Sequence, residues 1–466
     1  MESQQQCERE ICRLIILGRD RTEVLLTSAE SGLALPVVEI PRWERLAENL
    51  TGSLRTDWGC DAICLFTPNC SSEDRDSNGK HYVVMECWCD EGQSGETVWK
   101  PIGSLTAGSF RQAAEFRVFE QSLQELDIYQ RDPSSPFTRK GWLAELRGWT
   151  AEVIRPLGLE LTGSFCQYNG SPCFSLIRFE TNGPAVWFKA TGKPNRREFP
   201  ITLKLAERFP RFIPKILGTK PEWNGWLSGG EVDRTNPGKT KDATSWEQTA
   251  TELARLQIES IAESQSILRC GAHDLRAKRL FTAVDPFFDR VARLMEQQPK
   301  VPPAILNRDE LSLLKLRVED VLTLFQDLRI PVTLGHLDLN PGNVIVSAER
   351  CVFLDWAEAY VGNPFFSLEY LVQHFRRQID TSVASESQLT LAYKAQWGQL
   401  LEQDEIDEAT TLAKLTALFA YAVGTDTWKD EGKLKDPTAV GYLRSLARRM
   451  NNEAIKLTER RSPCLS

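Results

Sequence analysis

The sequence of 466 residues lacks several features that assign proteins to broad classes. It has no apolar run long enough to span a bilayer, and its first residues, MESQQQCERE, have no apolar signal-peptide core. It has no block of basic residues with interleaved aromatic residues, and its net charge of −8 disfavours nucleic acid as the main partner. We therefore expect a cytoplasmic protein with no membrane and no nucleic-acid partner.

The spacing of a cysteine-based metal site is also missing, although the chain contains 12 cysteines. No Cys-x-x-Cys pair occurs, and His81 is the lone histidine near the densest group of cysteines. That group consists of Cys60, Cys64, Cys70, Cys87 and Cys89. In a long chain without a secretion signal we expect reduced thiols. The sequence therefore favours small buried side chains at these positions, with a zinc site as the alternative.

The length predicts two or three domains, and 41% hydrophobic with 26% charged residues is typical of a soluble globular protein. A polar, proline-containing stretch at residues 132–136 marks the first boundary. Residues 1–132 mix strand-like and helical patterns, residues 133–230 are rich in strand-like runs, and residues 231–466 are mainly helical. We expect one domain or lobe in each of these three ranges.

The polar residues that packing explains least lie in the stretch PVTLGHLDLNPGNVIVSAERCVFLDWAEAYVGNP. Two short apolar runs, residues 344–346 and 351–354, flank a polar turn and predict a β-hairpin. Asn343 stands at the start of the first strand and Asp355 at the end of the second, so antiparallel pairing brings them to one edge. Asp338 lies on the loop that leads into the first strand.

Such a cluster suits Mg²⁺, a hard cation that takes oxygen ligands and shares them with substrate phosphates. Asn343 and Asp355 supply these oxygens, which leaves Asp338 to orient a hydroxyl group or accept its proton. The spacing His336-x-Asp338-x-x-x-x-Asn343, followed by an aspartate that closes a strand, matches the catalytic loop of kinase-type phosphoryl transfer. The alternative is an acidic loop that lies beside a buried hairpin and has no chemical role.

The run LGHLDLNPGNVIV…VFLDWAEAYVGNPFFSLEYLV resembles the catalytic loop of the aminoglycoside phosphotransferase and choline kinase family. Three positions depart from the usual pattern of that family. Leu337 stands where glycine is usual, Asn340 where histidine is usual, and Ser367 where aspartate is common. None of these departures removes a position that binds metal or accepts a proton.

This resemblance implies an α+β, two-lobed protein-kinase-like fold, with a small β-rich lobe in the second range and a large helical lobe in the third. The catalytic loop is then residues 334–358. In the family, ATP is the phosphoryl donor and Mg²⁺ accompanies it. At the matching positions of this chain, Asn343 and Asp355 bind the metal and Asp338 is the catalytic residue.

Residues 133–230 resemble the nucleotide-binding lobe of the same family. Asn169-Gly170 lies between two strand-like runs and is a strong hairpin signal, and a hairpin at this place covers the nucleotide phosphates. The alternative is a plain surface turn. Lys189 closes a later apolar strand and corresponds to the lysine that holds the α- and β-phosphates. Glu198 corresponds to the glutamate that orients this lysine, with Glu207 as a competing partner.

The N-terminal range resembles the Nudix hydrolases in the order of its predicted elements and in the run VLLTSAESGLALPVVEIPRW. The helix that would be catalytic in that family ends at Gly59, as a C-cap glycine would end it. Counting back from this glycine, the family's signature positions hold Gly52, Ser53, Thr56 and Asp57. Three metal-binding carboxylates are reduced to one. The resemblance therefore predicts a small α/β Nudix-like domain that does not hydrolyse pyrophosphates.

Together these patterns predict an ATP-dependent phosphotransferase that acts on a hydroxyl group of a small molecule. Aminoglycoside-, choline- and sugar-like acceptors are all compatible, because a fold alone does not select a substrate. Two other classes stay open: a nucleotide-binding pseudokinase with a regulatory or scaffolding role, and a Nudix-type hydrolase. The intact set of Asp338, Asn343 and Asp355 argues against the first, and Ser53 and Thr56 argue against the second.

Overall fold

We describe the protein by a computed structural model, which covers residues 9–29, 32–42, 44–69, 81–88, 97–230, 242–347, 350–379 and 383–461. The chain forms two compact units: the first comprises Met1–Phe199 and Lys215–Val232, and the second comprises Pro200–Pro214 and Asp233–Ser466. Both units contain helices and strands, so the predicted α+β class is confirmed. The predicted division into residues 1–132, 133–230 and 231–466 stays a prediction.

The first unit begins with an α/β module, residues 9–131, which we call the N-terminal module. Its strands are β1 (Arg9–Leu17), β2 (Glu23–Ala29), β3 (Gly32–Ala34), β4 (Val37–Pro41), β5 (Ala62–Phe66), β6 (His81–Cys87) and β7 (Thr97–Pro101), and its helices are α1 (Leu46–Trp58) and α2 (Ala113–Arg131). The sheet has the order β3-β2-β1-β6-β5, with β4 paired to β1 and β7 paired to β2. Strands β1 and β6 run parallel, and the other pairs are antiparallel.

Strand β1 is central in this sheet and apolar on both faces. Leu14 and Ile16 pack into the apolar cluster beneath α1. Ile15 and Leu17 pack into a larger cluster that includes Phe119 of α2. Because successive side chains of a strand point to opposite faces, this alternation places the sheet between the two helices.

Helix α1 is the helix that the sequence predicts to end at a glycine. Gly59 has a φ of 62°, in the left-handed region, and its N–H bonds to the Leu54 carbonyl oxygen, so the predicted C-cap is confirmed. Ser53, Thr56 and Asp57 lie within this helix. The Nudix-like interpretation of the N-terminal module stays a prediction.

The first unit continues with a second, antiparallel sheet. Its elements are α3 (Trp142–Ile154), β8 (Leu161–Ser171), β9 (Phe174–Thr181), β10 (Val186–Ala190), α4 (Glu198–Arg208), β11 (Ile216–Lys220) and β12 (Gly225–Gly229), where only Glu198 and Phe199 of α4 belong to this unit. The strand order is β11-β12-β10-β9-β8, which makes β8 an edge strand. On one face, Ile177, Phe179 and Phe188 join Leu146 of α3 in an apolar cluster.

The hairpin of β8 and β9 is present, but the predicted turn at Asn169-Gly170 is wrong. Both residues lie inside β8, where Asn169 pairs with Leu176 and Gly170 pairs with Ser175. The turn follows at the end of β8, before β9 begins. The Asn-Gly preference is local, and the pairing of the two strands overrides it here.

The second unit is mainly helical and has one large apolar core. Its elements are α5 (Ala243–Glu259), α6 (Ser264–Arg269), β13 (His273–Leu275), α7 (Ala277–Glu296), α8 (Arg308–Asp327), β14 (Thr333–His336), β15 (Val344–Val346), β16 (Cys351–Phe353), β17 (Ala359–Gly362), α9 (Phe365–Gln378), α10 (Val383–Trp397), α11 (Gln403–Gly424) and α12 (Pro437–Arg461). The short sheets have the orders β13-β17-β14 and β15-β16. In the part of the chain that the structure describes, no helix is both long and apolar enough to cross a membrane.

The local structure of this unit can be checked at its small hairpin and at the start of its first helix. The pairing of β15 with β16 is antiparallel, so the predicted hairpin is confirmed. The N-cap of α5 is Asp242, whose side chain accepts the N–H of Thr244 at 3.1 Å. Ser245 lies inside the first turn and donates to the same carboxylate at 3.1 Å. The Asp242 carboxylate therefore caps the helix through both of these bonds.

Candidate active site

The loop between β14 and β15 carries the predicted catalytic residue. Strand β14 ends at His336, and a short 3₁₀ turn, Pro341–Asn343, leads into β15. Asn340 caps this turn, because its Oδ1 accepts the N–H of Gly342 at 2.8 Å. Proline suits the first position of such a turn, since its ring fixes φ and it has no N–H to satisfy. The loop is thus held by its own side chains.

Two carboxamides of this loop hold the carboxylate of Asp338. Asn343 Nδ2 donates to Asp338 Oδ2 at 3.1 Å and to the Asp338 carbonyl oxygen at 2.9 Å. Asn340 Nδ2 donates to the other carboxylate oxygen, Oδ1, at 3.0 Å. Each carboxylate oxygen keeps further lone pairs, so Asp338 can still accept a proton or a hydrogen bond from a hydroxyl group.

His336 is fully buried and braces the same loop. Its Nδ1 accepts the N–H of Asp338 at 3.1 Å, and its Nε2 lies 3.0 Å from the carbonyl oxygen of Leu354. Because Nδ1 accepts, a neutral ring donates from Nε2 to Leu354. Burial lowers the pKa of His336, and the Leu354 carbonyl opposes this shift. The ring is therefore neutral at pH 7 and acts as a strut between the two ends of the site.

Asp355 follows β16 and has a φ of 60°, in the left-handed region that few residues other than glycine adopt. The neighbouring Leu354 N–H donates to the Asn343 carbonyl oxygen at 2.8 Å, which ties together the two ends of the hairpin. Asn343 uses its Nδ2 group on Asp338, so Oδ1 is the oxygen that remains for a cation. One carboxamide oxygen and one carboxylate fit Mg²⁺, which takes one or two protein ligands beside phosphates and water.

Two of the departures from the usual loop pattern are accommodated by neighbours. Leu337 is buried, and a Cβ placed on Gly424 of α11 would lie 2.7 Å from its Cδ1, so glycine at that position makes room for leucine. Ser367 is also buried, and its Oγ accepts the N–H of His336 at 2.9 Å and contacts the Tyr360 hydroxyl at 3.0 Å. The loop is therefore supported although its sequence differs from the family pattern.

Acidic and aromatic side chains of the second unit lie within electrostatic reach of Asp338. Glu358 Oε2 is 3.3 Å from Nε2 of His273. Burial and the neighbouring Tyr442 raise the pKa of the Tyr421 hydroxyl, and the charges of Asp338 and Glu358 raise it further. The surroundings of Asp338 are therefore partly aromatic and negatively charged.

In the first unit, the structure brings Lys189 and Glu198 together. Lys189 Nζ lies 2.6 Å from Glu198 Oε1, and the glutamate side chain is only 1% exposed. Glu198 is the first residue of α4, where the helix dipole favours a negative charge. The competing residue, Glu207, is 63% exposed and lies 3.4 Å from Lys204 instead. The pair that the sequence favours therefore exists, while its role toward a nucleotide stays a prediction.

Lys189 belongs to a row of side chains across four strands of the antiparallel sheet. Lys189 of β10 pairs with Leu176 of β9 on one side and with Trp226 of β12 on the other. Leu176 in turn pairs with Asn169 of β8. Directly opposed residues share one face of a sheet, so these four residues line the face opposite the apolar cluster. Lys189 Nζ also lies 5.9 Å from the ring centre of Trp226.

The described members of the cysteine group lie beneath α1. Cys60, Cys64 and Cys87 are buried in the apolar cluster, as the sequence indicates, and the sulfur atoms of Cys60 and Cys87 are 3.2 Å apart. Burial raises the pKa of the Cys64 thiol. Within the described ranges, no group of three or more His, Cys, Asp or Glu residues could hold a metal ion. Cys70 and Cys89 lie outside the described residues.

Sequence reasoning missed two residues that contact the predicted site. Asn340 was noted only as a departure from the family pattern, yet it bonds one oxygen of Asp338. The run Asn-Pro-Gly, typical of a side-chain-capped turn, is the signal that could have found it. The sequence does not connect Trp226 with Lys189, and only the pairing of β10 with β12 places the two side by side.

The described site thus consists of a carboxylate held by two carboxamides, on the loop before a hairpin that leads into a second carboxylate. Residues 237–402 match the sequence profile of the phosphotransferase enzyme family (APH). This range contains Asp338, Asn343 and Asp355, whereas Lys189 and Glu198 precede it. No curated protein sequence is significantly similar to this chain.

Several solved structures align with this chain. One is a macrolide 2′-phosphotransferase from Brachybacterium faecium, with 15% identity, a TM-score of 0.43, and coverage of 65% of this chain and 98% of that chain. Another is a choline kinase from Streptococcus pneumoniae, with 16% identity, a TM-score of 0.42, and coverage of 67% and 99%. A third is an ethanolamine kinase from Plasmodium vivax, with 13% identity, a TM-score of 0.45, and coverage of 72% and 94%.

Proposed function

We propose that this protein is an ATP-dependent phosphotransferase that phosphorylates a hydroxyl group of a small molecule. The observation that carries the proposal is the hydrogen-bonded pair of Asp338 and Asn343. This pair lies on the loop before the hairpin of β15 and β16, and Asp355 follows the second strand of that hairpin. The pair lies within residues 237–402, which match the phosphotransferase profile. Phosphoryl transfer to a hydroxyl group uses a base, a carboxamide and a metal-binding carboxylate.

Asp338 orients the acceptor hydroxyl and accepts its proton as the oxygen attacks the γ-phosphorus of ATP. As this bond forms, the bond from the γ-phosphorus to the bridging oxygen breaks, and ADP leaves with the electron pair. Asn340 and Asn343 hold the carboxylate in place before the acceptor binds. Such positioning supplies much of the rate enhancement, because the transition state needs little covalent assistance.

Asn343 and Asp355 are the residues that would hold Mg²⁺. When bound, the metal neutralises charge on the nucleotide phosphates. Asn343 then serves twice, since Nδ2 anchors Asp338 and Oδ1 remains for the cation. His336 keeps both sides of this arrangement in place, through the N–H of Asp338 and the carbonyl of Leu354.

The first unit contributes the residues for the nucleotide. Lys189 neutralises the α- and β-phosphates, and Glu198 orients its ammonium group. Asn169 and Gly170 lie on the hairpin that covers the phosphates. The register of the sheet supports this assignment, because Asn169 and Lys189 lie on one face.

The first experiment is an ATP-consumption assay with macrolides, aminoglycosides, choline, ethanolamine and sugars as acceptors. We expect transfer to one class of acceptor by the wild type. Asp338→Asn should lower the rate at least roughly a hundredfold, since positioned proton acceptors contribute about 10²–10⁴. The matched control is Asp327→Asn, an exposed aspartate at the end of α8, which should keep the wild-type rate. Equal activity of Asp338→Asn and the wild type would contradict the proposal.

The second experiment separates an active kinase from a pseudokinase by ligand-induced thermal stabilisation. Saturating ligand at a hundred times its dissociation constant stabilises a protein by about 2.7 kcal/mol. We expect Mg·ATP to stabilise the wild type and Asp338→Asn, but not Asp355→Ala, because Asp355 is a proposed metal ligand. A protein that binds ATP equally well without Mg²⁺ and with Asp355→Ala, and that transfers phosphate to no acceptor, would be a pseudokinase.

A further inference from the structure

The N-terminal module contacts the hairpin that we assign to the nucleotide phosphates. Helix α1 and strand β5 both lie against β8. Strands β5 and β8 are each the edge strand of their own sheet. Each strand also has a β-bulge at the contact, between Cys64 and Phe66 in β5 and between Gln167 and Asn169 in β8. These register shifts lie in the ladders with β6 and β9. Strands β5 and β8 belong to different sheets of the described structure, so the link between their edges is made by side chains.

The side chain of Gln167 makes this link. It is 1% exposed, its Oε1 accepts the N–H of Cys64 at 2.7 Å, and its Nε2 donates to the Cys64 carbonyl oxygen at 3.0 Å. One carboxamide thus satisfies both backbone groups of a residue in β5, as a neighbouring strand would. Gly170 is required beside it, because an added Cβ would lie 2.4 Å from Gln167 Nε2 and 2.8 Å from the Cys64 oxygen.

Behind the tip, the hairpin and the module share apolar packing, because Leu65 and Phe66 of β5 belong to one buried cluster with Phe165 of β8 and Ile177 of β9. A cleft of about 230 Å³ lies beside the junction. Asn169 and Phe174 line it on the side of the hairpin, and Leu46 and Phe66 line it on the side of the module. At the tip, the buried hydrogen bonds of Gln167 fix the hairpin to the module, and the Arg45 guanidinium lies 5.2 Å from the ring centre of Tyr168. Arg55 of α1 adds one bond further back, to the Phe165 carbonyl oxygen at 3.2 Å.

The link is close to the face that bears Lys189. Asn169 follows Gln167 by two residues. It pairs with Leu176 of β9, which pairs in turn with Lys189 of β10. We propose that Gln167 is a positioning residue, through which the N-terminal module sets the place of Asn169 and of the hairpin tip over the ATP phosphates. This inference rests on the proposed function. It makes the module a part of the nucleotide site rather than an independent domain.

The test compares two variants of the full-length protein. Gln167→Met keeps the length of the side chain and removes both hydrogen bonds to Cys64. The control is Glu115→Gln in α2, which weakens a buried contact of the same module, because Glu115 pairs with Arg13 of β1 and accepts the N–H of Leu35 at 3.2 Å. We measure the dissociation constant of Mg·ATP by titration calorimetry and the hydrogen exchange of residues 161–181 by mass spectrometry.

We expect Gln167→Met to raise the dissociation constant of Mg·ATP at least fivefold and to speed hydrogen exchange in the hairpin. Glu115→Gln should lower the melting temperature while it leaves the dissociation constant within twofold of the wild type. A change of less than twofold in Gln167→Met, or an equal loss in both variants, would overturn the inference. If Gln167→Met does not fold, Gln167→Glu decides the same question, since it keeps one bond and sets a carboxylate oxygen against the Cys64 carbonyl.

The design separates this inference from the proposed function. If the wild-type protein binds Mg·ATP and the Gln167→Met variant binds it equally well, only the role of Gln167 is refuted. A wild-type protein that does not bind Mg·ATP refutes the nucleotide site itself, and the role of Gln167 with it.

Discussion

At the scale of single residues, the ion pair of Lys189 and Glu198 has the clearest consequence. The glutamate is almost fully buried, and its partner is 13% exposed, so both charges are largely removed from water. A buried charge that loses its partner destabilises a protein by about 3–5 kcal/mol. Each side chain of this pair therefore depends on the other.

We predict that Glu198→Ala lowers the free energy of unfolding by about 3 kcal/mol and the rate of phosphoryl transfer by roughly a hundredfold. Both effects have one cause, because Lys189 loses the group that orients it. Denaturant titration and the ATP-consumption assay measure them. The matched control is Glu207→Ala on the same helix, whose exposed carboxylate should contribute less than about 0.5 kcal/mol. Equal effects of the two substitutions would contradict the prediction.

His336 carries a second prediction at this scale, on pH. Its pKa is lowered by burial in the folded protein, so the unfolded chain binds a proton first as the pH falls below about 6.5. The stability that the neutral ring contributes is therefore complete above pH 7 and is lost progressively between about pH 7 and pH 5. We expect His336→Gln to flatten the decrease of the unfolding free energy over this range, measured by denaturant titration at pH 7 and pH 5.

The control for this prediction is His81→Gln. The His81 side chain is 47% exposed, at the start of β6, so this variant makes the same substitution at a histidine that is not buried. If His336→Gln and His81→Gln give the same pH dependence, burial of His336 does not control it.

At the scale of elements, helix ends are set by capping side chains that the sequence places only approximately. Helix α8 begins with a capping box, in which Asn307 Oδ1 accepts the N–H of Glu310 at 2.9 Å and Glu310 Oε2 accepts the N–H of Asn307 at 2.8 Å. Two backbone donors that the helix itself cannot satisfy are thereby paired.

We predict that Asn307→Ala destabilises the second unit by about 1 kcal/mol, because it removes this cap. Asn452→Ala, at an exposed position inside α12, should be neutral or slightly stabilising, since alanine has the higher helix propensity. Thermal unfolding of both variants measures the difference. An Asn307→Ala variant as stable as Asn452→Ala would show that the cap contributes nothing.

At the scale of the whole molecule, each apolar core lies within one unit. The clusters around β1 and around the antiparallel sheet belong to the first unit, and the large helical cluster belongs to the second. A chain with separate cores need not unfold in one step. We therefore expect more than one transition in differential scanning calorimetry.

Two core substitutions assign these transitions. Ile177→Ala and Leu415→Ala remove fully buried side chains from the first and second unit, respectively, and each should cost about 2–5 kcal/mol. We predict that each lowers the temperature of a different transition. A single transition that both variants shift equally would contradict independent cores.

The sequence alone determined the features that depend on neighbours along the chain. The apolar runs on either side of Ser347 predict the hairpin of β15 and β16. The spacing of Asp338 and Asn343 also suffices to predict their contact, because a short loop with a capped turn brings these two residues together. The local turn signal of Asn169-Gly170 was wrong, because both residues pair with β9 inside strand β8.

Only the tertiary structure decided the contacts between residues far apart in the chain. Gln167 bonds Cys64 across 103 positions, and Gly424 makes room for Leu337. The choice of Glu198 over Glu207 as the partner of Lys189 is also settled by where α4 lies. Such contacts depend on the register of sheets and the packing of helices, which no local preference encodes. They decide which of the residues with suitable chemistry come together.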